Sequence, residues 1–308
     1  MHRFKLKLFN KLQTATKTIT MQSGWSDFKQ LTKMGLSLSV VFSSVAGYLI
    51  ATQTIDYKTI ILLGVGGYCV VGASNAFNQI IEKEPDAIMT RTKNRPIPAG
   101  RMSVNVAMMI AISILTIGLL MLYNINGKTA LFGAISVFLY TSAYTPLKPI
   151  TPLSVFVGAI PGAIPFMLGW VAATGQFGIE AGILFMIQFF WQFPHFWAIG
   201  WLQFDEYKKA GFNMMPTTQK NKKAAKLIIL YTIIMLLVSI VPVFRLTGDL
   251  YLLPASAIII FSLGLIMLYY GLKLYKEQTD LIARKLMLSS VLYITLIQII
   301  FVIDKFLH

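Results

Sequence analysis

Nine apolar stretches, each about as long as a helix that crosses a bilayer, divide this chain: 34–52, 60–80, 104–123, 129–145, 152–173, 179–200, 226–244, 251–271 and 287–304. A crossing helix needs about 20 mostly apolar residues. In hydrocarbon each backbone polar group must find its partner within the protein, which leaves helices as the solution for isolated runs of this length. The expectation is an all-α polytopic membrane protein of nine transmembrane helices. It forms a single membrane domain over 34–308, preceded by a basic tail over 1–33. With 56% hydrophobic and only 13% charged residues among 308, the composition agrees; soluble domains rarely exceed about half apolar content. The single cysteine, Cys69, lies in an apolar run and reads as a packing residue. Neither a disulfide framework nor a cysteine-rich metal site is possible.

A net charge of +15 would suit a nucleic-acid binder, but the cations fall in short loops between apolar runs rather than on one patch. With the N-terminus in the cytoplasm, 23 of the 27 Lys and Arg residues are cytoplasmic, and only Lys58, Lys128, Arg245 and Lys305 fall on the other side. That is the distribution the positive-inside rule produces, so nucleic acid is excluded as a partner and the lipid bilayer takes its place. The first twenty residues are basic and free of acids but lack an apolar signal-peptide core. They suit a cytoplasmic tail of a bacterial plasma-membrane protein, with a mitochondrial targeting segment as the alternative.

Charge is concentrated at one place. The stretch NQIIEKEPDAIMTRTKNRP, 78–96, holds three carboxylates and four cations between two apolar runs. Asn78, Glu82 and Asp86 recur at intervals of four and so share one face of a helix, with Pro85 expected to kink or end it. Two carboxylates one turn apart above an amide oxygen are hard ligands for Mg²⁺, which completes its shell with waters and substrate phosphates. Arg91, Lys93 and Arg95 follow as donors for phosphate oxygens. A solvated, salt-bridged loop is the competing reading. It is weakened because Asn78 and Glu82 belong to the end of an apolar span, where polar groups are costly.

The stretch resembles the first signature of the UbiA superfamily of intramembrane prenyltransferases, an Asn followed by acids at +4 and +8. Its continuation, DAIMTRTKNRP from Asp86 to Pro96, is similar to the protoheme IX farnesyltransferase branch. Glu82 stands where the family carries Asp. The resemblance implies helices arranged around a central cavity open to the cytoplasmic side. It also implies farnesyl diphosphate and heme b as substrates, heme O as product, Mg²⁺ as cofactor, and heme A synthase as a partner.

Further stretches agree with that branch. YTPLKP places Tyr144 and Lys148 four apart at the end of the fourth span. A boundary lysine snorkels readily beside an interfacial tyrosine, whereas the resemblance implies a diphosphate contact for Lys148. VGAIPGAIPFMLGW, 157–170, combines small residues with Pro161 and Pro165, which suits close helix approach and a distorted, cavity-lining helix. WQFPHFW, 191–197, contains His195, with the other two histidines at His2 and His308. A lone membrane histidine commonly makes an interhelical hydrogen bond. The resemblance instead implies a heme site for His195, Trp191 and Trp197, leaving open iron ligation or contact with the porphyrin. FDEYKKAGFNMMP, 204–216, resembles the second acidic region, implying Glu206 as the second-site carboxylate with Asp205 as the alternative. Three other readings share parts of this pattern: a relative acting on a quinone precursor or chlorophyllide, a secondary transporter, and a CDP-alcohol phosphotransferase. WQFPHFW argues against the first. The placement of charge at span ends rather than the midplane argues against the second, and the missing Asp-Gly-rich signature against the third.

Overall fold

The computed structural model describes residues 24–307. Nine long helices account for most of them: α1 Met34–Ala51, α2 Tyr57–Ile81, α3 Val104–Tyr123, α4 Gly127–Phe138, α5 Ser154–Thr174, α6 Ile179–Leu202, α7 Lys222–Ile240, α8 Pro254–Glu277 and α9 Asp280–Lys305. Among the described residues, eight helices are long and apolar enough to cross a membrane, α4 being counted with its continuation to Leu147. The ninth, α6, spans about 36 Å at 1.5 Å per residue. Gln188, Gln192, His195 and its tryptophans leave it short of that apolarity.

Each helix packs on the next in sequence, and α9 returns to α1, so the bundle closes on itself. α5 lies innermost, with 14 of its 21 residues buried, packed against α1, α4 and α6. Pro165 has no N–H to offer the carbonyl of Pro161 one turn earlier; the Ser136 hydroxyl on α4 donates to that carbonyl instead, at 3.3 Å. The neighbouring helix thus replaces the donor the proline removed, as a membrane interior requires. On the other side, Gln192 of α6 donates to the Ala159 carbonyl at 2.9 Å. A polar link at depth closes the ring: Gln298 on α9 donates to Ser43 of α1 at 3.0 Å and to Gln188 of α6 at 3.2 Å.

The ends of the last two helices differ from expectation. α8 continues to Glu277 and α9 begins at Asp280 rather than near 287. Hydropathy detects where apolar content starts, whereas helical hydrogen bonding continues through Lys273, Lys276, Arg284 and Lys285 beyond it. Residues 1–23 lie outside the described residues, but 24–31 are helical and dock on the bundle. Gln79 of α2 donates to the carbonyls of Gln30 and Leu31 at 2.9 and 2.8 Å, and Asp27 pairs with Arg101 at 2.9 Å.

Glycine sets the spacing of α1 against α5. A Cβ at Gly169 would run into the Ser44 carbonyl and the Tyr48 amide, both backbone atoms that cannot swing aside. Replacing Gly169 with Ala is therefore expected to destabilise the bundle by about 1–3 kcal/mol, the usual range for overpacking. Gly64→Ala, which meets open space, should be neutral or stabilising by up to about 1 kcal/mol. Thermal unfolding of the detergent-purified proteins checks the contrast.

Candidate active site

The charged stretch is not a solvated loop. Asn78, Glu82 and Asp86 are 1%, 6% and 0% exposed, respectively. α2 ends at Ile81, and a short helix, Lys83–Ile88, continues beyond Glu82. The break falls where Pro85 has no N–H for the Ile81 carbonyl. The bonds between functional residues survive it: Glu82 N donates to Asn78 O at 2.9 Å and Asp86 N to Glu82 O at 2.8 Å. The three side chains therefore keep their one-turn spacing across the bend.

α4 supplies the opposite wall. Its helical bonding widens into a π turn over Leu139–Tyr144 before the short turn Thr145–Leu147. Such bulges recur at functional sites. Here the turn lets the Thr145 hydroxyl donate to the Tyr140 carbonyl at 2.8 Å while accepting from the Asn78 amide at 3.3 Å. One residue past Leu147, Lys148 is buried and donates to Glu82 Oε1 at 2.6 Å. Its ammonium also lies 4.5 Å from the Tyr144 ring centre. Loss of solvent alone would lower the Lys148 pKa; the Glu82 carboxylate, helped by Tyr140, lifts it above the ordinary lysine value.

Arg95 folds back to Asp86 Oδ2 at 2.6 Å, whereas Arg91 and Lys93 are exposed. Of the cations in the stretch, the structure brings Arg95 to the carboxylates and leaves Arg91 outside. The second acidic loop does reach the first: Glu206 Oε2 accepts from the Thr90 amide at 2.6 Å, and its other oxygen pairs with Lys209 at 2.9 Å. These contacts hold the half-exposed Glu206 carboxyl below the usual glutamate range, Lys209 being the larger cause. Asp205, the alternative, points to solvent. The Asn213 amide donates to the Lys148 carbonyl at 2.9 Å, tying the same loop to the α4 end. A hollow of about 490 Å³ lies under this loop, between Gly200, Tyr207, Phe212 and Met215.

Lys33 was not singled out by sequence. It sits half-buried just before α1 in a left-handed conformation, φ 46°, and donates to Asn78 Oδ1 at 3.2 Å. Loss of solvent, then the charges of Arg95 and Lys148, lower its pKa to about 7. Thr90 and Thr145 were missed as well. No local pattern marks any of the three, because each acts through a partner on another helix.

The aromatic motif of α6 divides. Trp191 and His195, four apart, face α9: the imidazole is 2.8 Å from Ser290 Oγ and stacks on Trp191 at 4.6 Å. Trp197, two residues on and so about 200° around the helix, packs on Phe193 and on Tyr231 of α7. The three residues thus do not form one contiguous surface.

Magnesium suits the donors present. Asn78, Glu82, Asp86 and Glu206 are hard oxygen ligands, and Asp86 Oδ1 is buried with no hydrogen-bond partner among the described residues. Those residues contain no group of three or more His, Cys, Asp or Glu arranged to hold a metal. A site of two carboxylates that relies on water and phosphate oxygens is the magnesium pattern.

Buried oxygen ligands paired with cations at the mouth of a helical membrane bundle are what a site for a phosphorylated lipid-soluble substrate requires. The chain belongs to the UbiA prenyltransferase family, whose model matches residues 40–293. Within that family it is similar to proteins named protoheme IX farnesyltransferase. That of Christiangramia forsetii is 66% identical over 92% of this chain and 94% of its own length. That of Flavobacterium psychrophilum is 62% identical over 94% and 97%; that of Nitrosomonas eutropha is 33% identical over 91% and 94%. The fold matches a structure of digeranylgeranylglyceryl phosphate synthase with a TM-score of 0.75 at 18% identity, covering 91% of this chain and 98% of that one. A UbiA homologue from Archaeoglobus fulgidus bound to GPP and Mg²⁺ matches with 0.64 at 15% identity, over 89% and 99%. This is an integral, multi-pass membrane protein.

Removing one partner of a buried ion pair leaves an uncompensated charge, at a cost of about 3–5 kcal/mol. Lys148→Met is expected to destabilise by that order, and adding Glu82→Gln should restore more than half of it. A double-mutant cycle by thermal unfolding measures the coupling.

Proposed function

We propose that this protein transfers the farnesyl group of farnesyl diphosphate to a vinyl group of heme b, giving heme O and diphosphate. The observation that carries the reading is the cluster at the bundle mouth: two buried carboxylates, Glu82 and Asp86, are each paired with a cation, Lys148 and Arg95, and a third basic side chain, Lys33, sits on Asn78 beside them. Basic side chains beside hard oxygen ligands suit a metal–diphosphate. The kinship with protoheme IX farnesyltransferases supports the choice of substrates.

Asn78, Glu82 and Asp86, with Glu206 across the mouth, would hold magnesium; when bound it supplies Lewis-acid stabilisation of the leaving diphosphate. Arg95 and Lys148 neutralise charge that grows on that group as the allylic C–O bond breaks. Lys33 joins them, and Arg91 stands at the rim as an outer contact. The vinyl carbon attacks the farnesyl cation, and water completes the hydroxyethyl group. The apolar bundle keeps stray water from that cation. His195, Trp191 and Trp197 are assigned to heme, with Trp197 on a separate face. The distribution of Lys and Arg supports a mouth on the cytoplasmic side, in a bacterial inner membrane. Heme A synthase is the partner this product calls for.

Asp86→Asn should lower heme O formation at least about 100-fold, the scale of losing a transition-state charge contact. Pigment extracted from membranes with and without farnesyl diphosphate gives the readout; near-normal turnover defeats the metal assignment, and no farnesylated heme from the wild type defeats the reaction. Lys33 adds a pH dependence. Its pKa near 7 lies below the ordinary 10.5, so between those values the free site is neutral there. A bound diphosphate favours the ammonium. Substrate binding at pH 8 should therefore take up a proton, and affinity should fall as pH rises through 7. Calorimetry in buffers of different ionisation enthalpy should show the uptake, and Lys33→Met should abolish it.

A further inference from the structure

His195 is held by more than one contact. Its Nδ1 lies 2.8 Å from Ser290 Oγ on α9, its ring stacks on Trp191 at an interplanar angle of 17°, and Phe196 meets it edge-on at 5.5 Å. Trp191 is itself fastened to the same residue, its Nε1 donating to the Ser290 carbonyl at 2.7 Å. Ser290 is buried, and its hydroxyl donates to the Met287 carbonyl at 2.7 Å.

That last bond bears on the protonation of the imidazole. A serine hydroxyl carries one proton and two acceptor lone pairs. With the proton directed to Met287 O, Oγ accepts from His195 and the proton of the neutral imidazole sits on Nδ1. The lone pair is left on Nε2, which has no hydrogen-bond partner among the described residues. A histidine whose Nδ1–H is anchored and whose Nε2 is free is prepared as a Lewis base, the arrangement by which outer partners orient metal-binding imidazoles. We propose that Ser290 is a positioning residue: it fixes His195 in the Nδ1–H tautomer and presents Nε2 to the iron of the tetrapyrrole substrate. The inference rests on the assignment of heme to His195 made above. It settles between iron ligation and porphyrin contact in favour of ligation, and adds α9 to the substrate site.

Two measurements on the full-length protein test it. In a chain where His2 and His308 are replaced, ¹⁵N NMR of the remaining histidine reads the tautomer without ligand. Wild-type Ser290 and Ser290→Thr should give Nδ1–H, and Ser290→Ala a mixture; an Nε2–H imidazole in the wild type overturns the proposal. Titration with ferric heme b then reads ligation from the Soret band. Ser290→Ala should bind heme about tenfold more weakly and raise its KM, the scale of losing an outer-shell partner. The KM for farnesyl diphosphate should stay unchanged, and Ser290→Thr should restore the heme affinity. Unaltered heme affinity and Soret position in Ser290→Ala also overturn the positioning role. If His195→Ala keeps the wild-type Soret band, the heme assignment itself fails, and the NMR result separates that failure from one of Ser290.

Discussion

Charge withdrawn from water must be neutralised where it lies, and the charged mouth of this bundle is organised around that requirement. Glu82 is answered by Lys148, Asp86 by Arg95, Asn78 by Lys33 and Glu206 by Lys209. The partners of Asn78 and Glu82 come from other helix ends, and Glu206 also holds the Thr90 amide. The pairings therefore draw the ends of α1, α2, α4 and α6 to one place. Glu82 and Asp86, the buried carboxylates assigned to magnesium, each already have one oxygen on a cationic side chain, while Asp86 Oδ1 is left without a partner among the described residues. On the proposed reading, binding a metal–diphosphate would be an exchange of partners: carboxylates would trade lysine and arginine for the metal, and the freed cations would turn to phosphate oxygens.

The bundle beneath serves that mouth by staying dry and closely packed. Glycine contacts bring α1 against α5, the Ser136 hydroxyl replaces the donor that Pro165 removes, and the Gln192 amide adds a second interhelical bond at Ala159. α6 is the exception in composition, carrying glutamines, a histidine and tryptophans through the interior. Those residues tie it to α5, α7 and α9 in turn, and the face toward α9 carries His195 fixed by Ser290. The bonds of Gln188, Gln192, Trp191 and His195 to neighbouring groups hold this part of the helix in one orientation.

Much of this was legible in advance, and for definite reasons. Asn78, Glu82 and Asp86 were readable because four-residue spacing is a property of the helix itself and survives the break at Pro85. Glu206 and Lys148 were found only through likeness to a known pattern; burial and pairing with other segments are what distinguish them here from boundary charges. Lys33, Thr90, Thr145 and Ser290 were invisible. Each is an ordinary residue in its own segment and acquires a role only from the atom opposite. Within the aromatic motif, the helix sends Trp197 toward α7 and Trp191 with His195 toward α9.

The sequence by itself determined the all-helical membrane fold, the concentration of charge in a few loops and the shared face of Asn78, Glu82 and Asp86, because hydropathy, charge asymmetry and helical period are local quantities. Tertiary structure alone decided which cation meets which carboxylate, that Arg95 rather than Arg91 turns inward, that Glu206 rather than Asp205 reaches across, and that His195 meets Ser290. Those are matters of distance between segments far apart in the chain, set by how the helices pack, and no local pattern encodes them.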